Sequence, residues 1–261
     1  MRIGLHSGQC PQALALRDGF EALGWRVIWR SGELYKQGQV ENFDAVAVCG
    51  CRGNNRDVLA DYTAVGIPAM VIEWGYLKRA DLGRDGYWQL GLGGLNWLPT
   101  TPCKTDRWRA LGLNLAKPHD GVTIIAGQMI GDAAHPFGDA VSMTRWACGV
   151  AEQETGPVLF RPHPRSAWVA PHGMELDTLP LAVSLARAGK VIAWSSNVGN
   201  DALLAGCEVR AYGPAIWAAV ERANRRKYFH RLAYAQWTLD EIATGEPIDF
   251  VLRAYGDHAD S

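Results

Sequence analysis

Three short polar stretches in the second half of the chain carry side chains suited to binding an anion and moving a proton. Arg161-Pro162-His163-Pro164-Arg165 sets an imidazole between two guanidiniums, in a loop that its prolines stiffen by fixing φ. That arrangement suits His163 held as a cation against a phosphate; a solvated basic turn is the alternative. Ser195-Ser196-Asn197 precedes a helical pattern that contains Asp201. Hydroxyls and free backbone N–H groups at a helix start form an anion site, or a plain N-cap. Gly127-Gln128-Met129-Ile130-Gly131-Asp132 is the third stretch. In the first half, Glu73-Trp74-Gly75 ends another apolar run.

Each stretch follows a short apolar segment, and those segments alternate with helical patterns. Arg2–Leu5, Arg26–Trp29, Asp44–Cys49 and Pro68–Glu73 read as strands, with helices over Ala13–Leu23 and Arg56–Val65 ending at Gly24 and Gly66. Gly75–Pro118 has no sustained periodicity and reads as a Gly- and Trp-rich linker. The alternation then resumes. Strands are expected over Gly121–Ala126, Pro157–Phe160, Lys190–Trp194 and Glu208–Ala211, and helices over Phe137–Glu152, Pro180–Arg187 and Val198–Ala205. A helical pattern also covers Trp217–Val220, and Tyr228–Ile242 reads as one amphipathic helix. Strands separated by helices predict parallel sheets with right-handed crossovers. The expected fold class is α/β, with two Rossmann-like doubly wound domains facing across a cleft. Residues 1–118 form the first, 119–225 the second, and 226–261 a C-terminal helix that crosses back. Ligands are then expected beyond the carboxyl ends of the strands.

Composition narrows the function. In 261 residues, 26 basic side chains balance 27 acidic ones for a net charge of −1, so no broad field attracts nucleic acid. Residues 1–118 carry +3 and 119–261 carry −4. No stretch nears the ~20 apolar residues of a membrane span, and the start meets Gly4 and His6 too early for a signal-peptide core. A cytoplasmic location is expected, with the six cysteines reduced and mostly serving as small buried hydrophobes. The chain has no D-x-D, GxxxxGK[ST], HExxH, GxSxG or paired CxxC motif, so no metal site, P-loop, zincin or α/β-hydrolase elbow is indicated.

Taken in order, these motifs resemble the capsular-polysaccharide/Kdo-transferase-like glycosyltransferases, a GT-B family. The resemblance rests on Gln128 with Asp132, on Arg161-Pro-His163-Pro, and on Ser196-Asn-Val-Gly199-Asn-Asp201-Ala-Leu-Leu-Ala-Gly206 followed by a strand and Gly213-Pro214. Val71-Ile-Glu73-Trp-Gly75-Tyr76-Leu77 is similar to the family segment that borders the acceptor cleft. Asp201 stands where that family has Glu. The resemblance implies metal-independent transfer, without a cofactor, of a sugar from a CMP- or UDP-type nucleotide donor to a glycan hydroxyl. His163 would meet the departing phosphate. Gln128, Arg161, Arg165, Ser195, Ser196, Asn197 and Asp201 would hold the donor. Asp132 and Glu73 would be the carboxylates at the sugar, one of them activating the acceptor hydroxyl or acting as nucleophile. For Glu73, a structural strand-end carboxylate is the alternative.

Two other readings remain beside it. A phage-type enzyme could place the sugar on a hydroxymethylated pyrimidine in DNA, with Arg107-Trp108-Arg109 and Arg26-Val-Ile-Trp29-Arg30 against bases. A non-catalytic nucleotide-binding protein could keep the fold alone. Tryptophan is abundant, 11 residues in all, and four fall between residues 74 and 108. Trp74 and Trp97 are accordingly expected on the acceptor side. Nothing in the sequence sets the oligomeric state.

Overall fold

The computed structural model of the chain describes residues 1–79, 85–131, 134–166 and 171–259. It divides into two compact units, Met1–Gly112 with the stretch from Lys227 onward, and Leu113–Arg226.

The first unit begins with β1 (Arg2–His6), α1 (Pro11–Ala22), β2 (Arg26–Arg30), β3 (Ala45–Cys49), α2 (Asn54–Ala64), β4 (Ala69–Trp74), β5 (Trp88–Leu92) and α3 (Asp106–Leu111). Pro11 opens α1 where its missing N–H costs nothing. Ala13, Leu16 and Phe20 recur at helical spacing and are buried. Gly24 ends the helix at φ +78°. The second unit contains β6 (Val122–Ala126), α4 (Ala140–Ala151), β7 (Val158–Arg161), β8 (Glu175–Leu176), α5 (Leu181–Ala186), β9 (Ala188–Ala193), α6 (Val198–Leu204) and β10 (Glu208–Ala211). Through α7 (Arg225–Ala233), β11 (Gln236–Trp237), α8 (Leu239–Ala243) and α9 (Glu246–Ala259) the chain rejoins the first unit.

Both sheets are doubly wound. In the first, the order is β11-β5-β4-β3-β1-β2; β1 to β4 run parallel, and β5 and β11 are antiparallel additions at one edge. One face buries Leu5, Met70 and Ile72 against Leu16 and Phe20 of α1 and Ile242, Ile248 and Val251 of the tail. The other buries Val46, Val48 and Val71 against Val58, Leu59 and Tyr62 of α2. The second sheet, β10-β9-β6-β7-β8, is parallel throughout. Its neighbouring residues Ile124 and Ile125 serve opposite cores, the first with Ala202 of α6, the second with Ala147 and Val150 of α4. That is the period of two expected of strands covered on both faces.

Three expectations are corrected. The presumed linker contains β5, whose Trp88 and Leu90 are buried and alternate with Gln89 and Gly91. A side chain at Gly91 would meet the Gly94 carbonyl oxygen at 2.5 Å, so glycine here marks close backbone approach and masks the strand pattern. The single tail helix is broken into α7, β11 and α8. Thr238 and Glu241 form a capping box, with Thr238 N–H donating to Glu241 Oε2 (2.8 Å) and Glu241 N–H to Thr238 Oγ1 (3.2 Å). That start signal lay inside the apparent period. The helical pattern at Trp217–Val220 is not a helix; residues 216–219 form turns. Among the described residues, no helix is long and apolar enough to cross a membrane.

Candidate functional site

In the second sheet the chain passes from β6 through β7 and β8 to one edge, then through β9 and β10 to the other. The carboxyl ends of β9, β6 and β7 therefore lie side by side around a topological switch point, where open α/β sheets bind ligands. The three polar stretches emerge from these three ends.

Hydrogen bonds join the loops to one another. Gly127 N–H donates to the Arg161 carbonyl (2.9 Å) and Ile130 N–H to Ser166 Oγ (3.1 Å), tying the loop after β6 to the loop after β7. On the other side, Ser195 N–H donates to Gln128 Oε1 (2.7 Å) while Gln128 Nε2 donates to Ser195 Oγ (3.3 Å). The Ser195 hydroxyl spends its own proton on the Ala134 carbonyl (2.7 Å). Gln128 and Ser195 are both buried, so loss of either partner would strand a polar group at a cost of about 1–3 kcal/mol. Ser166 and Ala134 have no motif to announce them, and they complete the stitching.

His163 is half-buried, and its Nδ1 accepts the backbone N–H of Arg165 at 3.1 Å. A lone pair occupied in this way leaves Nε2 to carry the ring proton. With Nδ1 accepting, Nε2 is the ring nitrogen that donates. Arg165 contributes that backbone donor, and its side chain is exposed. Arg161 does not flank the imidazole as a free cation. Its Nη1 lies 3.0 Å from Asp177 Oδ2, 2.7 Å from the Leu179 carbonyl oxygen and 2.9 Å from Ser184 Oγ. The Asp177 side chain is fully buried, and Arg187 pairs with its other oxygen at 3.3 Å. Arg161 thus anchors the segment after β8.

After β9, the Ser196 carbonyl accepts Trp217 Nε1–H (3.0 Å) and Gly199 N–H (3.1 Å). Asn200 Nδ2 donates to Asn197 Oδ1 at 2.5 Å. Asp201 sits half-buried in the first turn of α6. A side chain at Gly199 would overlap the Trp217 indole, 2.1 Å from Cε2; Gly213 is confined likewise by Trp194, at 2.2 Å from Nε1. The glycines of this motif make room for tryptophan. Asp132 lies outside the described residues.

In the first unit, Glu73 is the penultimate residue of β4, with Oε1 accepting the Trp74 N–H at 3.0 Å. Its Oε2 lies 3.3 Å from where a side chain at Gly50 would begin. Trp74 stacks on Trp88 at 4.7 Å, and Trp97 meets the edge of Phe250. Both are half-buried and pack one side against the first unit's core. Tyr76 is fully buried, pushed above the ordinary phenol range by that burial, and donates to Gln89 Oε1 at 2.9 Å. Two of the four arginines that suggested DNA are also committed. Arg107 bonds Glu241 and the carbonyls of Ala233 and Gln236 while stacking on Trp237, and Arg30 pairs with Glu41.

No protein-family model and no curated protein matches the chain. Among solved structures it is similar to the KpsC beta Kdo 2,4 transferase of Thermosulfurimonas dismutans, at 16% identity and a TM-score of 0.60 over 98% of both chains. It is also similar to the KpsC beta Kdo 2,7 transferase of the same organism, at 12% identity and a TM-score of 0.55, covering 96% of this chain and 99% of that one. At these identities the likeness is one of fold. The chain has the GT-B fold of glycosyltransferases, built from two Rossmann-like units.

Proposed function

We propose that this chain is a glycosyltransferase that moves a sugar from a CMP- or UDP-type donor to a glycan hydroxyl, without a metal ion or cofactor. The observation that carries the reading is His163, an imidazole with its proton fixed on Nε2 by the Arg165 N–H, set among three mutually bonded loops at a topological switch point. When the bond between the anomeric carbon and the donor phosphate breaks, the electron pair stays on the phosphate oxygen. A preorganised N–H aimed at that oxygen stabilises the developing charge without reorganisation. Ser196, Asn197, Asp201 and Arg165 are the residues assigned to the nucleotide and its phosphate. Gln128, Ser195 and Arg161 act by positioning the loops. The acceptor hydroxyl gives its proton to a carboxylate as its oxygen bonds the anomeric carbon; Glu73 and Asp132 are the residues assigned to that step.

The test is a transfer assay with a panel of CMP- and UDP-sugars and glycan acceptors, read by mass spectrometry. His163→Ala is expected to lower kcat by about 100-fold or more, with the circular dichroism of the wild type. Undiminished transfer by that variant would overturn the assignment. Absence of transfer by the wild type over the whole panel would favour a binding protein of the same fold.

A further inference from the structure

Ser195 is held from two sides, by the Gln128 side chain and by the Ala134 carbonyl. Both belong to the loop between β6 and α4, and the residue that follows each is bonded to the other. His135, after Ala134, has Nε2 2.8 Å from the carbonyl oxygen of Met129, after Gln128. A circuit therefore closes from Ser195 through Gln128, Met129, His135 and Ala134 back to Ser195. His135 lies in none of the three polar stretches.

The Phe137 N–H can only donate, and it reaches His135 Nδ1 at 3.1 Å. Nδ1 is the acceptor, so Nε2 carries the proton that goes to the Met129 carbonyl. The imidazole also lies against Phe137, with ring centres 5.4 Å apart. Phe137 in turn meets Trp146 of α4 at 5.6 Å and, edge-on, Trp194 after β9 at 5.0 Å. One ring nitrogen is thus used to orient the imidazole, and the other closes the circuit. Both bonds are part-buried, so water replaces the ring at the Met129 carbonyl when the side chain is removed. The loss falls less on the stability of the fold than on the geometry of the grip on Ser195.

We propose that His135 is a positioning residue for the donor phosphate, acting through Ser195 on the loop that carries Ser196 and Asn197. The inference rests on the transfer reading above, in which those two residues are assigned to the nucleotide and its phosphate. By tying Met129 to itself, His135 sets the spacing of the two groups between which Ser195 is held. Ser195 fixes where the next two residues begin. A misplacement of about 1 Å at a reacting group costs up to about 100-fold in rate.

The experiment compares the full-length chain with His135→Ala, His135→Gln and His135→Asn. Glutamine offers an amide N–H in place of Nε2, and asparagine a carbonyl oxygen in place of Nδ1, so only glutamine keeps a donor for Met129. Hydrogen–deuterium exchange is read on peptides that contain Ser195, whose N–H is donated to Gln128. Exchange there is expected to rise about tenfold in the alanine and asparagine variants and to stay near the wild type in the glutamine variant. In the transfer assay, kcat/KM for the nucleotide-sugar is expected to fall about 10- to 100-fold with alanine or asparagine. The acceptor KM is expected to hold, and glutamine to recover most of the loss. A brace for the fold alone would act on donor and acceptor alike and would not separate glutamine from asparagine. Unchanged exchange at Ser195 in His135→Ala, or equal behaviour of the glutamine and asparagine variants, would overturn the proposal. A wild type that transfers no sugar sinks the transfer reading instead. The exchange contrast between glutamine and asparagine needs no turnover, and it then decides whether His135 sets the Ser195 loop. The same contrast decides if the alanine variant fails to fold.

Discussion

Gly199 offers the sharpest test of how the candidate site is built. A β-carbon placed there falls 2.1, 2.3 and 2.6 Å from Cε2, Cδ2 and Cζ2 of Trp217. Carbon atoms in contact rest at about 3.5–4.0 Å, so the indole has to retreat by roughly 1.5 Å. Trp217 is 1% exposed and its Nε1–H is held by the Ser196 carbonyl, which leaves it little room. Overpacking of this kind costs about 1–3 kcal/mol and occasionally more. Alanine returns up to about 1 kcal/mol through its higher helix propensity. Gly199→Ala should therefore destabilise the second unit by about 2 kcal/mol. Trp217→Leu removes the three offending atoms, and in that background the same alanine should be neutral or mildly stabilising, a coupling of about 2–3 kcal/mol. Urea unfolding followed by circular dichroism, fitted for two units, measures all four proteins. The reasoning fails if Gly199→Ala unfolds within about 0.5 kcal/mol of the wild type, or if its cost survives in the leucine background.

Two further outcomes concern buried charge. His6 is 2% exposed between the rings of Tyr35 and Tyr62, and neither ring nitrogen has a partner among the described residues; burial lowers its pKa from 6.5 to about 4. The unfolded chain binds this proton first, so the neutral ring's contribution is complete above pH 6.5 and is lost as pH falls toward 4, about 3 kcal/mol in all. His6→Phe keeps the ring packing and should flatten that part of the stability profile; parallel profiles for variant and wild type would refute the assignment. Asp177 is enclosed while its arginine partners reach water, so Asp177→Asn should cost about 2 kcal/mol. High salt should weaken that loss only slightly, and a loss abolished by salt would count against a buried pair.

The parts of the fold that could be read from the residues were those with one dominant period. β6 and β9 each carry an apolar triplet, Ile124–Ala126 and Val191–Ala193, and β10 needs no adjustment at Glu208–Ala211. β5 was hidden because Gly91 erases one side of its alternation, and β11 because two residues carry no period at all. The site followed the same logic. His163 and Ser195 could be found because they come directly after strands. What each side chain does could not, because it is settled by partners far along the chain: Asp177 for Arg161, Trp217 for Gly199, Gln128 for Ser195. Tryptophan abundance decides nothing by itself, for a related reason. Size and aromaticity suit a sugar platform and a core equally, and neighbours such as Phe250 and Trp88 decide between them.

The return of the tail to the first unit has a consequence for biosynthesis. The second unit is a continuous stretch, so every strand it needs has been synthesised once Arg226 has emerged. The first is not. Its core joins Ile3, Leu16 and Phe20 to Trp237, Ile242 and Val251, and the edge of its sheet is completed only when β11 pairs with β5. During synthesis, Ile3, Leu16 and Phe20 must wait for Trp237, Ile242 and Val251, made more than two hundred residues later. In that interval the face of β1, β3 and β4 that α8 and α9 will cover is open to water. Contacts spanning most of the chain also close slowly. The order of consolidation on the ribosome is thus the reverse of the order of sequence, and the half-built first unit is the state that most needs protection from association.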